Sequence, residues 1–520
     1  MHATLYLSLL INLGITGHYI DEDFNYWQLL LGFEVLSGHH TGEYLASKVV
    51  SILDEFDICE KLGYVTADNA SNNGTMTKYL EALLGERGIE WNSLERTIHC
   101  IAHVINLCVG SFLNAIDQQL SKITLQNVIE ACHAIARYIR SSHLAWESFS
   151  KCCHSLGMKP ITIPLDVPTR WNSTFEMVGR LLYLKKPIRR LTQEHAPHLR
   201  IKESWWEYME VLCAFLMPFY RCTKRFESNN TQPEIDYVFF AYNTMYDHID
   251  DVKDAIEQKR GIGSYRIASS MGPALLELEA TLKKYYEKTT FPPVYGDAMI
   301  LNPRCKLSIF EDSTWSKVDA DMYIDGCRHR FGQYSSVRDN SGQTSALSRK
   351  RPTPQHEDAE FVEMLQQRSM KRRINNLDRY MEIPNDINIS GSLDWWRENN
   401  RTYQDVGAMA RDALAVPASS SSVERIFSIS GRIATWERNR LSPHTISNIM
   451  MYKGRMLLQK RAKSFEPTKS VTCDDDLPVP VSVEGIPSEW VNQWWLENVK
   501  GNKLGIVSEK VRTLFASRDV

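Results

Sequence analysis

The chain has 520 residues, 43% of them hydrophobic and 24% charged, with a net charge of −3. This describes a globular chain of two to four domains and excludes a global basic field, so any contact with nucleic acid must use local patches. The eleven cysteines are scattered without a CxxC, which excludes a disulfide framework or zinc ribbon and predicts a reducing, intracellular setting.

The apolar run Leu5–Ile15 is too short to span a bilayer and lacks the positive start of a signal peptide, so it reads as strand. Ile11–Tyr19 and Leu29–Leu36 are β-rich, with the turn-forming Asp21-Glu22-Asp23 between them. Leu45, Val49, Ile52, Leu53 and Phe56 fall at helical spacing within 40–56. Tyr64–Thr66 is a short strand entering the polar turn DNASNNG, Met76–Leu84 is helical, and Thr97–Val109 runs as strand then helix. Strands alternating with helices predict an α/β sheet.

From about Ser121 to Phe331 strand signals vanish and aromatic helices take over, the pattern of a helical domain inserted into an α/β core. Between Gln333 and Arg373 the chain turns polar, predicting a disordered linker. Its basic clusters, 349–351 and 371–373, read either as a nuclear-import signal or DNA tether or as a solvated linker. The α/β pattern is expected to resume near Leu393. After Lys463 comes an acidic, Pro-rich tail ending in a helix with Trp490, Trp494 and Trp495.

Three constellations could carry chemistry. Asp68 ends a strand, where α/β folds present functional groups, although Asp-Asn-Gly runs also make plain turns. Cys100 and His103 share a helical face in HCIAHVINLCV, as zinc ligands or as core residues. In PTRWNST, Arg170 and Trp171 suit unpaired DNA, guanidinium on phosphate and indole on base, or else a packed aromatic with a snorkelling neighbour. Downstream, Arg180, Lys185, Lys186, Arg189 and Arg190 form a basic helical stretch that could track a backbone or simply face solvent. Near the C-terminus, Glu424 rides the edge of an amphipathic helix opened by Ser419–Ser422, a capping or solvated acid by its spacing alone.

The wording of these segments resembles the hAT (hobo/Activator/Tam) transposases. The matches are VTADNASNN, CIAHVINL, TRWNST and ASSSSVERIFS with RNRLSP, together with GITGHYID, HTGEYLA, LNPRCKL and SLDWWRENN, in family order across residues 14–455. The resemblance implies an α/β plus all-α fold. An RNase H-like core would be interrupted by a large helical domain: core 1–120, insertion 121–331, linker 332–376, core completion and dimerisation region 377–462, tail 463–520. It implies that Asp68 and Glu424 are catalytic and metal-holding, with Cys100 and His103 supporting them. It implies that Arg170 and Trp171 contact DNA, while Lys185, Lys186, Arg189 and Arg190 are expected DNA-binding residues on their charge alone. The expected dimerisation residues are Trp395, Trp396, Ile426, Phe427, Leu441, Ile446 and Met450. Two Mg²⁺ (or Mn²⁺) ions would serve an in-line attack on a phosphodiester.

The family's first catalytic Asp precedes the stretch matching GITGHYID, yet MHATLYLSLLIN holds no acid. The core is therefore expected to lack its first strand, with Leu5–Ile11 as a carboxylate-free replacement, and strand cleavage to be absent. Alternatives are an active enzyme borrowing Asp21 or Asp23, or a protein-interaction scaffold that has lost DNA. The BED zinc finger of related proteins is missing, so this reads as an N-terminally truncated chain with no structural zinc finger. The expected partners are a second copy and DNA, with no membrane and no small-molecule substrate, in the nucleus. Gln404 and Gly454-Arg455, where the family carries Pro and Lys-Trp, are expected to loosen the dimerisation region.

Overall fold

The computed structural model describes residues 3–9, 12–36, 41–119, 125–167, 170–227, 234–257, 271–311, 315–341, 375–389, 391–433 and 441–463. The basic clusters of the linker and the tryptophans of the tail lie outside these residues. So does the tail after Lys463.

The sheet is built from β1 (Ala3–Leu9), β2 (Asn12–Ile20), β3 (Tyr26–Val35), β4 (Leu62–Ala67) and β5 (Thr97–His99). Its order is β3-β2-β1-β4-β5, with β1, β2 and β3 antiparallel and β1, β4 and β5 parallel. The core does not lack a strand at this place: β1 fills the centre of the sheet and pairs on both sides, where Leu5–Ile11 was expected as a carboxylate-free replacement. It does so with ATLYLSL, a strand without Asp or Glu. Filling that position with a β-rich apolar segment removes the unpaired inner edges that its loss would leave.

Strand alternation sends Leu13 and Ile15 of β2 to one face, where they are fully buried with Leu45, Val49 and Leu53 of α1 (Gly42–Glu55) and Leu80 of α2 (Ser71–Gly85). Gly14, Thr16 and His18 fall on the alternate positions. A four-residue helix, α3 (Ser93–Arg96), leads into β5, and α4 (Ile101–Gln119) carries the chain from the sheet into a helical region.

That region runs through α5 (Leu125–Ser141), α6 (His143–His154), α7 (Trp171–Tyr183), α8 (Lys185–Glu194), α9 (Glu203–Glu227), α10 (Val238–Glu257), α11 (Gly272–Tyr286), α12 (Val294–Ile300) and α13 (Lys317–Ser341). Its aromatic residues make one core, with Phe112 of α4 and Phe215 of α9 4.4 Å apart between ring centroids. Helix α13 continues to Ser341, so the segment expected to be linker from 332 begins as helix.

The α/β pattern expected after Leu393 is also corrected. The described residues from 375 onward form helices: α14 (Asn376–Glu382), α15 (Ser392–Asn399), α16 (Gln404–Leu414), α17 (Ser421–Ile433) and α18 (Pro443–Lys463). Short apolar runs such as ALAV cannot by periodicity be told from strand. LNPRCKL anchors this return: the buried Lys306 ammonium donates to the carbonyls of Ile383 and Pro384 at 2.9 and 3.1 Å. SLDWWRENN anchors it again, with Arg397 donating to the carbonyls of Asp23 and Phe24 in the β2–β3 turn.

Candidate active site

Helix α17 lies on the alternate face of the sheet because Gly14 leaves room for it. A Cβ on Gly14 would stand 2.8 Å from Val423 and 3.2 Å from Phe427. Phe427 in turn packs on Phe33, ring centroids 5.4 Å apart. A buried polar relay completes the seat. His18 Nδ1 contacts the Tyr26 hydroxyl at 2.5 Å, and its Nε2 lies 2.9 Å from Thr16 Oγ1, which faces Ser422 Oγ at 3.4 Å. Burial, and secondarily the charge of Arg425, pushes His18 down to about 3, so the imidazole is held neutral. The GITGHYID motif is thus the docking surface of α17.

The serines read as helix caps reach across the fold. Ser419 donates to the Phe226 carbonyl at 2.5 Å. Ser420 donates from its hydroxyl to Glu424 at 2.7 Å, while its backbone N–H and hydroxyl lie 3.2 and 3.1 Å from the Cys100 sulfur. Just before them, Thr66 donates to the Pro417 carbonyl at 2.8 Å, and Ile101 N–H to that of Ala418 at 3.0 Å. Cys100 N–H donates to the Ala67 carbonyl at 2.9 Å, one residue before Asp68. Each link is a direct contact, so Asp68 and Glu424 belong to neighbouring segments at the C-terminal end of β4.

Asp68 Oδ1 accepts from Ala70 N–H at 3.0 Å and from the Asn73 amide at 2.6 Å, holding the DNASNN turn. Glu424 accepts from Ser420, and its other oxygen meets Arg170 at 3.3 Å. Both sides of that ion pair are solvated, the Arg170 side chain being 68% exposed and that of Glu424 43%, so it contributes little stability. Along β1, Leu7 pairs with Ala67, and the next residue, position 8, is a serine.

The other expected residues fall as follows. Cys100 is buried, its thiol pushed up to about 11 by desolvation, and it packs β5 and α4 against the start of α17. His103, one turn along α4, is half-buried. Trp171 is 5% exposed, edge-on to Phe175 and Tyr220, with its indole Nε1 unbonded among the described residues. Lys185 pairs with Glu210 at 2.7 Å and lies over the Trp206 ring, Arg189 pairs with Glu203, and Arg190 pairs with Glu194 at 2.8 Å. Lys186 is exposed.

In the C-terminal region Trp396 is fully buried, donating to the Leu301 carbonyl, and Trp395 is nearly so. Met450 is buried, while Ile426, Phe427, Leu441 and Ile446 are half-buried. These side chains are largely used inside the chain. Tyr452 and Leu457 of α18 are instead 65% and 63% exposed, with Met456 between them at 38%. Gly454 lets α18 settle onto β3, since a Cβ there would stand 3.1 Å from Leu30.

Four residues near the site carry no sequence signal of their own. Ser420 and Thr66 look like turn and strand polar residues. His99, beside the turn, bonds Asn69 at 2.7 Å and is pushed down to about 4 by burial. Glu227, at the end of α9, is raised by burial against the pull of Lys224, with the Glu424 charge adding to the rise. Asp21 and Asp23 stand elsewhere. Ile15 of β2 faces Leu7, and Asp21 lies six residues further, about 20 Å along the strand. Its carboxylate accepts from Asn25 and from the Trp27 indole, which locks the β2–β3 turn.

The fold order and the acid pair can be set beside known proteins. The hAT family C-terminal dimerisation region matches residues 376–456, the ZBED1 RNase-like domain residues 9–93, and the ZBED1 RNase-like helical domain residues 98–215. By these matches and by its relatives the chain is similar to the hAT family and carries that family's C-terminal dimerisation region. It is 27% identical to the putative AC transposase of Zea mays, over 87% of this chain and 56% of that one. It is 26% identical to the putative transcriptional regulator tpeD of Talaromyces stipitatus, over 85% and 51%. For the zinc finger BED domain-containing protein DAYSLEEPER of Arabidopsis thaliana the identity is 22%, over 86% and 62%. The chain therefore spans about half to three-fifths of the length of these relatives. No helix among its described residues is long and apolar enough to cross a membrane.

Proposed function

We propose that this chain is a transposase-derived nuclear protein that self-associates and binds DNA, and that its phosphodiester-cleavage site is incomplete. The observation that supports this reading most directly is the central strand. β1 occupies the position beside β4 with a sequence free of carboxylates, while Asp68 and Glu424 remain at the end of β4 and the start of α17.

Two divalent ions at a phosphodiester need several hard oxygen donors to neutralise them. Here the donor set is two carboxylates, one bonded to a backbone N–H and an amide and the other ion-paired with Arg170. That set does not fit two Mg²⁺ ions. Asp21 and Asp23, at the far end of β2, are poorly placed to supplement it.

Arg170 is the group best placed to meet a phosphate, because it is exposed and its present partner is a solvated carboxylate. Self-association is supported by the dimerisation-region match and by the exposed apolar positions of α18. A scaffold without DNA binding is favoured by one observation: the expected DNA-contacting side chains Trp171, Lys185, Arg189 and Arg190 are all engaged within the chain.

A gel-shift titration at fixed salt with single-stranded and hairpin DNA separates the two readings. DNA binding that weakens at least several-fold in Arg170→Glu supports the first. Absence of binding, or equal binding by both proteins, removes DNA from the proposal.

A further inference from the structure

We propose that Cys152, Glu194 and His195 form a Zn²⁺ site that clamps the end of α6 to the end of α8. One donor atom from each of these residues lies within 4.8 Å of the other two. The Glu194 Oε2 to His195 Nε2 separation is 3.8 Å, within about half an ångström of the roughly 3.3–3.4 Å between N and O ligands on a tetrahedral Zn²⁺.

The donors are a thiol, an imidazole and a carboxylate. A sulfur–nitrogen pair selects a borderline-soft ion such as Zn²⁺ over Mg²⁺ or Ca²⁺, and three protein ligands leave the fourth position for water.

The frame around them is already tied together. Ser155 Oγ donates to the Cys152 carbonyl at 2.8 Å and accepts from Arg190 at 2.8 Å. Arg190 Nε in turn donates to Glu194 Oε1 at 2.8 Å, leaving Oε2 on the side of His195. Outer hydrogen bonds of this kind orient metal-binding carboxylates. His195 is fixed by its backbone N–H, which donates to the Leu191 carbonyl at 2.8 Å as α8 ends. Cys152 is 3% exposed, whereas Glu194 and His195 are solvent-accessible, so an ion can enter from the open side. Neighbouring Cys153 is fully buried and serves as an internal control.

The site shares no residue with the Asp68–Glu424 region, so its test is independent of the proposed function. Full-length protein, stripped with EDTA and desalted, is titrated with ZnCl₂ against a chromogenic chelator and, separately, with CoCl₂. The wild-type chain and Cys153→Ser are expected to take up one more equivalent than Cys152→Ser or His195→Ala. With Co²⁺ they are expected to show a near-ultraviolet thiolate band that both of these variants lose. Melting curves in EDTA confirm that the variants fold. Equal uptake by all four proteins overturns the site. So does no uptake by any, or a band lost in Cys153→Ser and kept in Cys152→Ser.

Discussion

The Cys100 sulfur lies 3.1 Å from the Ser420 hydroxyl, and that hydroxyl also donates to Glu424. Through this contact the strand end that carries Asp68 and the helix that carries Glu424 are fixed to each other. Both partners are buried, so losing this contact removes one of the few polar contacts open to each. Ser420→Ala is expected to destabilise the chain by about 1–2 kcal/mol in urea unfolding, with a loss of Cys100 protection against alkylation. An unchanged midpoint would show that α17 is seated by its apolar contacts alone.

Trp171→Ala is expected to cost about 3–5 kcal/mol, because the indole is packed against Phe175 and Tyr220. This loss would appear with no DNA present. A variant that melts like the wild type would place Trp171 outside the core and restore it as a free stacking platform.

Asp297 and Arg330 join α12 to α13 through a two-pronged ion pair at 2.6 and 2.7 Å, with the carboxylate buried. Arg330→Met strands that charge and is expected to cost about 3–5 kcal/mol. Adding Asp297→Leu is expected to recover much of the loss. A double mutant as weak as the single one would argue against stranded charge as the cause.

Three histidines, His18 and His248 buried and His99 half-buried, set an acid limit. Burial holds His18 near 3, and His99 and His248 near 4, against about 6.5 in an unfolded chain. Between those values the unfolded chain binds more protons than the folded one. The histidine contribution is therefore complete above about pH 6.5 and falls away as pH drops toward 4 and then 3, by up to about 1.4 kcal/mol per unit for each histidine. Urea midpoints should fall from pH 7 to pH 5, with a shallower slope in His18→Gln. Parallel slopes would contradict the assignment for His18.

Tyr452 and Leu457 are expected to lie in the self-association surface. Tyr452→Asp with Leu457→Asp should leave a folded monomer in light scattering. A wild-type oligomeric mass in that variant would move the surface elsewhere.

Much of the sheet was legible because its signals are local. β2 alternates, α1 repeats at helical spacing, and Asp68 ends a strand as its turn chemistry indicates. The strand character of β1 and its role as a carboxylate-free replacement were legible in Leu5–Ile11, whereas its pairing on both sides is a non-local property that no local pattern shows. Position alone also failed to separate exposed from buried aromatics: Trp171, Trp395 and Trp396 stand in motifs, yet the fold uses them as core. The Ser420–Cys100 contact joins residues 320 positions apart, and no pattern within either segment announces it. Arg189 and Arg190 look like a phosphate-tracking face until Glu203 and Glu194 are brought beside them.

The most direct test of the proposal that the cleavage site is incomplete is strand cleavage. Purified chain, Asp68→Asn and Glu424→Gln are incubated with supercoiled and hairpin-ended DNA in Mg²⁺ and in Mn²⁺, and the products are resolved on denaturing gels. The account predicts that all three leave the DNA intact. Metal-dependent nicking by the unaltered chain that disappears in Asp68→Asn would contradict it.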